Sequence, residues 1–264
     1  MRSTLVRRTA VAAAAVSLAV LATACSGSAE KGGDAGQKGD KGKASASAEA
    51  PGGEGAGVKA PSSAELEKLA LAEGDVKLHE VKKSTAAEKI TAAEIQTDKP
   101  ECVAVARAVA GVAQGQPVGT AEARRVNEKP EKNKKAVEAG DVMAAFDLTT
   151  TQVVLGSYDG KGAEGAFAAL RTAAADCAGG FTTTWKGEQS KVTKVTEVKA
   201  AGGDEAAAWD VAVDQEGETV TYKIAAVRKG AVIGSFSSFN LISSQGKDFP
   251  LPSAVIEAQV AKLG

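Results

Sequence analysis

The stretch AAWDVAVDQEGETVTYKIAAVRKGAVIGSFSSFNL, residues 207–241, decides the fold. Ala207, Trp209, Val211 and Val213 fall at every second position, as side chains on one face of a strand do. Val220, Tyr222, Ile224 and Ala226 repeat that alternation, and residues 232–241 make a third run. The links between these runs, residues 214–218 and 228–231, are short and contain Gly. Links of that length join antiparallel neighbours, because a parallel pair needs a crossover of a dozen residues or more.

Working back from this stretch, residues 192–198 read as another strand. Its valines recur every three residues and so assign no face. Residues 181–186 form one more strand. Within residues 160–177, Phe167, Leu170 and Ala174 share one side of an amphipathic helix, which Gly179 and Gly180 stop. Pro252 and Ser253 open a last helix that carries Val255, Ile256, Val260 and Leu263 on one side. Nearer the N-terminus, Ser62-x-x-Glu65 has the spacing of a capping box and predicts a helix through Ala72, ended by Gly74. Val76, Leu78 and Val81 suggest a strand, and residues 85–94 fit helix and loop equally. Pro100 suits a first helical turn, with Cys102, Val105, Ala106 and Val109 on one face and Gly111 as a stop. A strand is expected at residues 121–126, a solvated loop or frayed helix over the charged residues 128–138, and a strand over 142–158 with a break near 149–151. About 200 residues, 61–264, are enough for one domain with a core of its own. The class is α+β, an antiparallel sheet with helices packed on it.

The first 60 residues read differently. Arg2, Arg7 and Arg8 precede an uncharged run at residues 9–24. As a helix that run extends roughly 24 Å, short for a bilayer span. A basic start, a short apolar run and small residues at its end describe a secretory signal. It closes Leu21-Ala22-Thr23-Ala24-Cys25, which resembles the lipobox of bacterial lipoproteins, with residues 1–24 removed and Cys25 lipidated. Ala22 stands where that motif prefers Leu. Acyl chains on Cys25 would hold the protein on the extracytoplasmic face of the cell membrane, each buried methylene contributing about 0.8 kcal/mol. Residues 26–60 hold 10 Gly, five Lys, five acids and no aromatic. Such a segment has too little apolar surface to offset the entropy of ordering, so residues 25–60 are read as a tether of roughly 30–35 Å root-mean-square span. The formal net charge of −1 becomes −4 once Arg2, Arg7 and Arg8 are removed. A chain without basic excess has no counterion-release term to drive nucleic-acid binding.

Cys102 and Cys177 remain as an even pair in an exported chain, and a disulfide between them is expected. His79 is the single histidine, which leaves no Cys/His cluster for a metal and no Ser-His-Asp arrangement that does not run through it. It sits among Lys77, Glu80 and Lys82, where a solvated surface position is expected. Gly160-x-Gly162-x-x-Gly165 has the letters of a dinucleotide fingerprint, yet it is followed by antiparallel hairpins, not a βαβ unit, so it is read as a strand-to-helix turn. No cofactor is expected. Lys129–Lys135 reads as a solvated charge run. Trp209 alternates with Val211 and Val213 and belongs in the core. Trp185 follows the polar run Thr182-Thr183-Thr184 and is a candidate to line a groove. Phe236 and Phe239 point to opposite faces of a regular strand, so both are held as groove candidates.

Taken with their order, several of these pieces resemble the extracellular sensor domain family of the mycobacterial receptor kinase PknH and its free lipoprotein relatives. The residues concerned are Pro100-Glu101-Cys102-Val103-Ala104-Val105, Val153-Val154-Leu155, Ala166-Phe167-Ala168-Ala169-Leu170, Asp176-Cys177, the run from Ile224 to Ile233, and the run from Val255 to Lys262. The resemblance implies a bent antiparallel sheet with helices and a groove for an extracellular ligand. It implies two disulfides in the kinase-linked domain, of which only Cys102–Cys177 has a counterpart; Trp209 and Phe239 lie near where a second would fall. It assigns no catalytic residue. Two classes of function follow: a non-catalytic sensor or binding lipoprotein taking a small molecule, lipid or wall fragment, or a structural lipoprotein that docks to an envelope or signalling protein. A lipid carrier would need an apolar cavity, and an exported hydrolase a pair of converging carboxylates.

Overall fold

The computed structural model describes residues 59–215 and 217–264. The signal segment, Cys25 and all of the tether up to Val58 lie outside the described residues.

Helix α1 (Ser63–Leu69) opens with the capping box: the Glu65 N–H donates to Ser62 Oγ at 3.3 Å and the Ser62 N–H donates to Glu65 Oε2 at 2.7 Å. It stops at Leu69, short of the expected Ala72. Tertiary bonds take over there: the Leu71 N–H donates to Gln259 Oε1 at 3.2 Å and the Leu71 carbonyl accepts from Arg124 Nε at 2.9 Å. Then come β1 (His79–Lys83), β2 (Ile95–Thr97), α2 (Val103–Val109), β3 (Gly119–Thr120) and β4 (Arg124–Glu128). The charged stretch contains α3 (Lys134–Glu138). Strand β5 (Thr149–Ser157) starts later than expected, because Val142–Phe146 forms a 3-10 turn. The Asp141 carboxylate accepts from the amides of Met143 and Ala144, and Asn133 Nδ2 donates to the carbonyls of Ala144 and Asp147 at 2.8 and 2.6 Å. Those side-chain bonds hold the backbone in a turn that hydropathy alone does not reveal.

After α4 (Gly162–Asp176), the chain runs through β6 (Phe181–Trp185), β7 (Glu188–Val198), β8 (Glu205–Gln215), β9 (Glu218–Lys229) and β10 (Val232–Asn240), then α5 (Ser253–Leu263). The strands form one sheet in the order β1-β4-β5-β10-β9-β8-β7-β6-β2, with β3 also on β5, and every pairing is antiparallel. The fold is α+β. Between Val192 and Lys194 the β7–β8 register shifts by a bulge. One extra residue flips the parity, so Val192 and Val195 bury on the same face despite their spacing of three. Gly180 takes φ +89° beneath β7, where an added Cβ would meet the Val192 carbonyl at 2.3 Å, so only glycine fits that stop.

Helices cover both faces. On one, α2 and α4 set Val105, Val109, Phe167 and Leu170 against Trp209, Val211, Ile224 and Ile233. On the other, Val255 and Ile256 of α5 pack with Ala208, Ala225, Val227, Val153 and Phe236. Cys102, at the start of α2, is bonded to Cys177, at the end of α4, clamping these helices together across 75 residues of sequence. On the α5 face, Lys223 is buried between the carboxylates of Asp210 and Asp248, at 2.8 and 2.9 Å, above the Phe249 ring.

Helix α1 is held by Glu67, which accepts from buried Arg124 at 2.7 Å and pairs with Lys83. Burial alone would raise its pKa, but the hydrogen bonds from Lys83, Arg124 and the Glu122 amide win and hold it at about 2. A depressed carboxylate stabilises the fold above its unfolded pKa and loses that contribution as pH falls toward the folded value. Glu67→Gln is therefore expected to remove part of the stability at pH 5–7 and to flatten its decline between about pH 4.5 and 2, as read by urea unfolding across that range.

Candidate functional site

Strands β1 and β2 lie at opposite edges of the sheet, yet they are consecutive in sequence. The link between them, residues 84–94, must therefore cross the sheet, and it does so on the α2 side, where Ile90 packs against the core. Two side-chain turns of the same kind shape it. Thr85 donates through its N–H and hydroxyl to Glu88 Oε2 at 2.7 and 2.8 Å, and Thr91 does the same to Glu94. These are the repeated residues Thr85-Ala86-Ala87-Glu88 and Thr91-Ala92-Ala93-Glu94. The link is tied down at both sides. Arg125 of β4 donates from Nη1 to Glu88 Oε1, and Lys186, just past β6, donates from Nζ to the Ala87 carbonyl at 2.8 Å.

Beneath this crossing segment is a groove of about 280 Å³. Its roof is Glu88 and Ile90, and one end is formed by residues 109–111 after α2. Its floor comes from alternate positions of four strands: Arg125 of β4, Thr150 and Gln152 of β5, Ser237 and Phe239 of β10, and Tyr222 of β9, with Trp185 at the end of β6. The rings of Tyr222 and Phe239 are tilted 35° with centroids 5.6 Å apart. Ser237 donates to the Val109 carbonyl at 2.6 Å and Gln152 Nε2 to the Gly111 carbonyl at 3.2 Å, which fix the end of α2 over the sheet. A second hollow of about 340 Å³ continues along the sheet, sharing Ile90, Gly111 and Gln152 with the first. The Glu88 carboxyl is held below its ordinary pKa, first by the Thr85 amide and hydroxyl and further by the Arg125 charge, so it is ionised at neutral pH. Arg125 Nε is buried and has no hydrogen-bond partner among the described residues.

Trp185 and Phe239 thus line one groove. Phe236, expected as a further groove residue, does not: it is 1% exposed in the α5-side core, opposite Val153. Strand alternation sends it to the other face from Phe239, and that other face is closed by a helix. Sequence reading missed Glu88, Ile90, Arg125, Gln152 and Tyr222. The signal that was available for the roof is the twice-repeated Thr-x-x-Glu spacing, which marks turns where periodicity is silent. Trp209 is 3% exposed in the core. His79 lies on the edge strand with Nδ1 2.8 Å from the Lys77 carbonyl. Gly162 sits where an added Cβ would meet Tyr158 Cβ at 3.0 Å, a packing reason for that glycine. Two larger hollows, of about 540 and 710 Å³, flank α4 and α5; both are walled chiefly by alanines and exposed charged residues, with buried Trp209 their one aromatic. Among the described residues no group of three or more His, Cys, Asp or Glu is placed to hold a metal, and no helix is long and apolar enough to cross a membrane.

No family model matches the chain, and no curated protein matches its sequence. Among solved structures, the chain is similar to the crystal structure of the extracellular domain of PknH from Mycobacterium tuberculosis, at 13% identity and a TM-score of 0.43, over 78% of this chain and 95% of that one.

Proposed function

We propose that this protein is an exported, lipid-anchored envelope protein whose folded part is a non-catalytic binding or sensor domain, with the ligand site in the groove beneath residues 84–94. Its anchor is Cys25 and its location the extracytoplasmic face of the cell membrane. The observation that carries the ligand site is the partly buried aromatic wall of Trp185, Tyr222 and Phe239 under a segment tied by Glu88 and Lys186. Aromatic side chains ordinarily belong in a core, and a concave apolar wall with a few convergent polar groups is the usual form of a small-molecule site. A signalling role, which the sequence resemblance implies, would run through a partner protein.

A second reading, docking to another envelope protein, draws on a different corner. Val137, Val142, Phe146 and Leu241 are four of the six large hydrophobic side chains exposed among the described residues. Asn240 Nδ2 donates to Asp147 Oδ1 at 2.9 Å and so brings the ends of β5 and β10 together beside them. Hydrogen exchange on the full chain separates the two readings. Adding the small-molecule fraction of the host's envelope is expected to protect amides at 109–111 and 150–152. Protection confined to 136–146 on adding envelope proteins would move the function to docking.

The anchor has its own test. Cys25→Ala is expected to abolish acylation and leave the precursor uncut, seen as a mass larger than the mature chain; normal processing and membrane retention would remove Cys25 from the account.

A further inference from the structure

We propose that the groove takes a ring-bearing carboxylate, and that this ligand binds by displacing Glu88 from Arg125 and so loosening the segment that roofs the site. The inference rests on the groove reading above and adds the chemistry of the ligand.

Three observations converge on it. First, Arg125 is only partly used. Nη1 serves Glu88, while Nε is buried without a partner. A guanidinium presents its N–H groups as a planar fork that matches a carboxylate with two parallel bonds. Glu88 answers with a single oxygen, because its other oxygen is committed to the Thr85 amide and hydroxyl. An incoming carboxylate that spans Nε and Nη2 satisfies a buried donor that the resting pair leaves unmet, and it sets a like charge beside Glu88 that weakens the hold of Glu88 on Nη1.

Second, the groove is small and walled by rings. About 280 Å³ lies just below the usual range of ligand pockets and admits one ring with a short acidic arm. Trp185, Tyr222 and Phe239 offer faces and edges for that ring, on the same sheet face as Arg125.

Third, the competitor is on the roof. Of the side-chain ties that hold residues 84–94, the Glu88–Arg125 pair is the one built from groove residues on both sides. Breaking it leaves the segment held by Lys186 at the Ala87 carbonyl, by the exposed Lys89–Glu122 pair and by the Ser84 amide at the Ala123 carbonyl, none of which fixes Glu88 itself. Ligand charge is thereby coupled to movement of the roof, and differential binding of that kind is what a ligand needs in order to shift a conformational equilibrium.

The test is saturable binding to the full chain in lipid nanodiscs, followed by fluorine NMR, with 4-fluorobenzoate, its neutral counterpart 4-fluorobenzyl alcohol, and 4-fluorophenyl phosphate. The acid is expected to bind and the alcohol to bind at least about tenfold more weakly, the scale of one charge-assisted hydrogen bond. Arg125→Gln is expected to erase that preference. Glu88→Gln is expected to strengthen binding of the acid several-fold relative to the alcohol, a charge-selective gain that a merely structural role for the pair would not give. Far-UV circular dichroism checks that both variants fold. Acid and alcohol binding equally, in a manner lost in Phe239→Ala, would keep the groove and overturn the carboxylate. Preference for the phosphate, or weaker acid binding in Glu88→Gln, would also overturn it. No saturable binding of any probe, with Phe239→Ala indistinguishable from wild type, would remove the groove reading and the proposal together.

Discussion

Removing the Cys102–Cys177 bond by replacing both residues with alanine is expected to lower the unfolding free energy by about 4 kcal/mol, the chain-entropy value for a loop of this length. Both sulfurs are fully buried, so alanine is the fair replacement: serine would add the cost of two buried hydroxyls. The bond joins the start of α2 to the end of α4, and those helices share the larger core with Trp209, Val211 and Ile224. A single domain commonly has only about 5–15 kcal/mol of net stability, so the loss is a large share of it. Urea unfolding of the wild type with and without reductant, beside the double variant, measures it. Coincident curves for reduced wild type and variant are expected. A loss under about 1 kcal/mol would mean that packing of Val105, Phe167 and Leu170 holds the helices without the bond.

The second large effect separates two phenylalanines three residues apart. Phe236→Ala is expected to cost about 3–5 kcal/mol, since the ring is 1% exposed between the sheet and α5 and its removal leaves a cavity beside Val153 and Ile256. Phe239→Ala is expected to cost less, about 1–2 kcal/mol, because its ring is only partly buried at the wall of a groove, where it loses its tilted contact with Tyr222 and leaves no closed cavity. The same substitution should weaken any groove ligand. The pair is diagnostic because the two side chains share a strand: equal losses of stability would mean that Phe239 is a core residue and that no open groove exists at its face.

The antiparallel half of the fold was legible because residues 207–241 alternate cleanly and turn on short glycine-containing links. The elements that failed were those set by side-chain hydrogen bonds. Asp141 and Asn133 hold Val142–Phe146 in a turn although its hydropathy suits a strand, and Arg124 and Gln259 capture the backbone at Leu71 and end α1 early. Val192 and Val195, three residues apart in β7, share a face only because of the bulge after Val192, while Val198 turns to the α5 side. The candidate site was half legible. The polar run before Trp185 offered that ring as a groove candidate beside the core reading, and alternation separated Phe236 from Phe239. Arg125, Gln152 and Tyr222 gave no signal, because their role comes from a sheet order in which β4, β5, β10 and β9 are adjacent, and pairing across such distances in sequence is not written in local pattern. The roof was hidden for the same reason: nothing local says that β1 and β2 end on opposite edges.

The most direct test of the groove as the ligand site is native mass spectrometry of the full chain extracted from its own envelope, wild type beside Phe239→Ala. A small acidic adduct is expected on the wild type and is lost or sharply reduced in the variant. An adduct retained at equal occupancy in Phe239→Ala, or none on either protein, would contradict it.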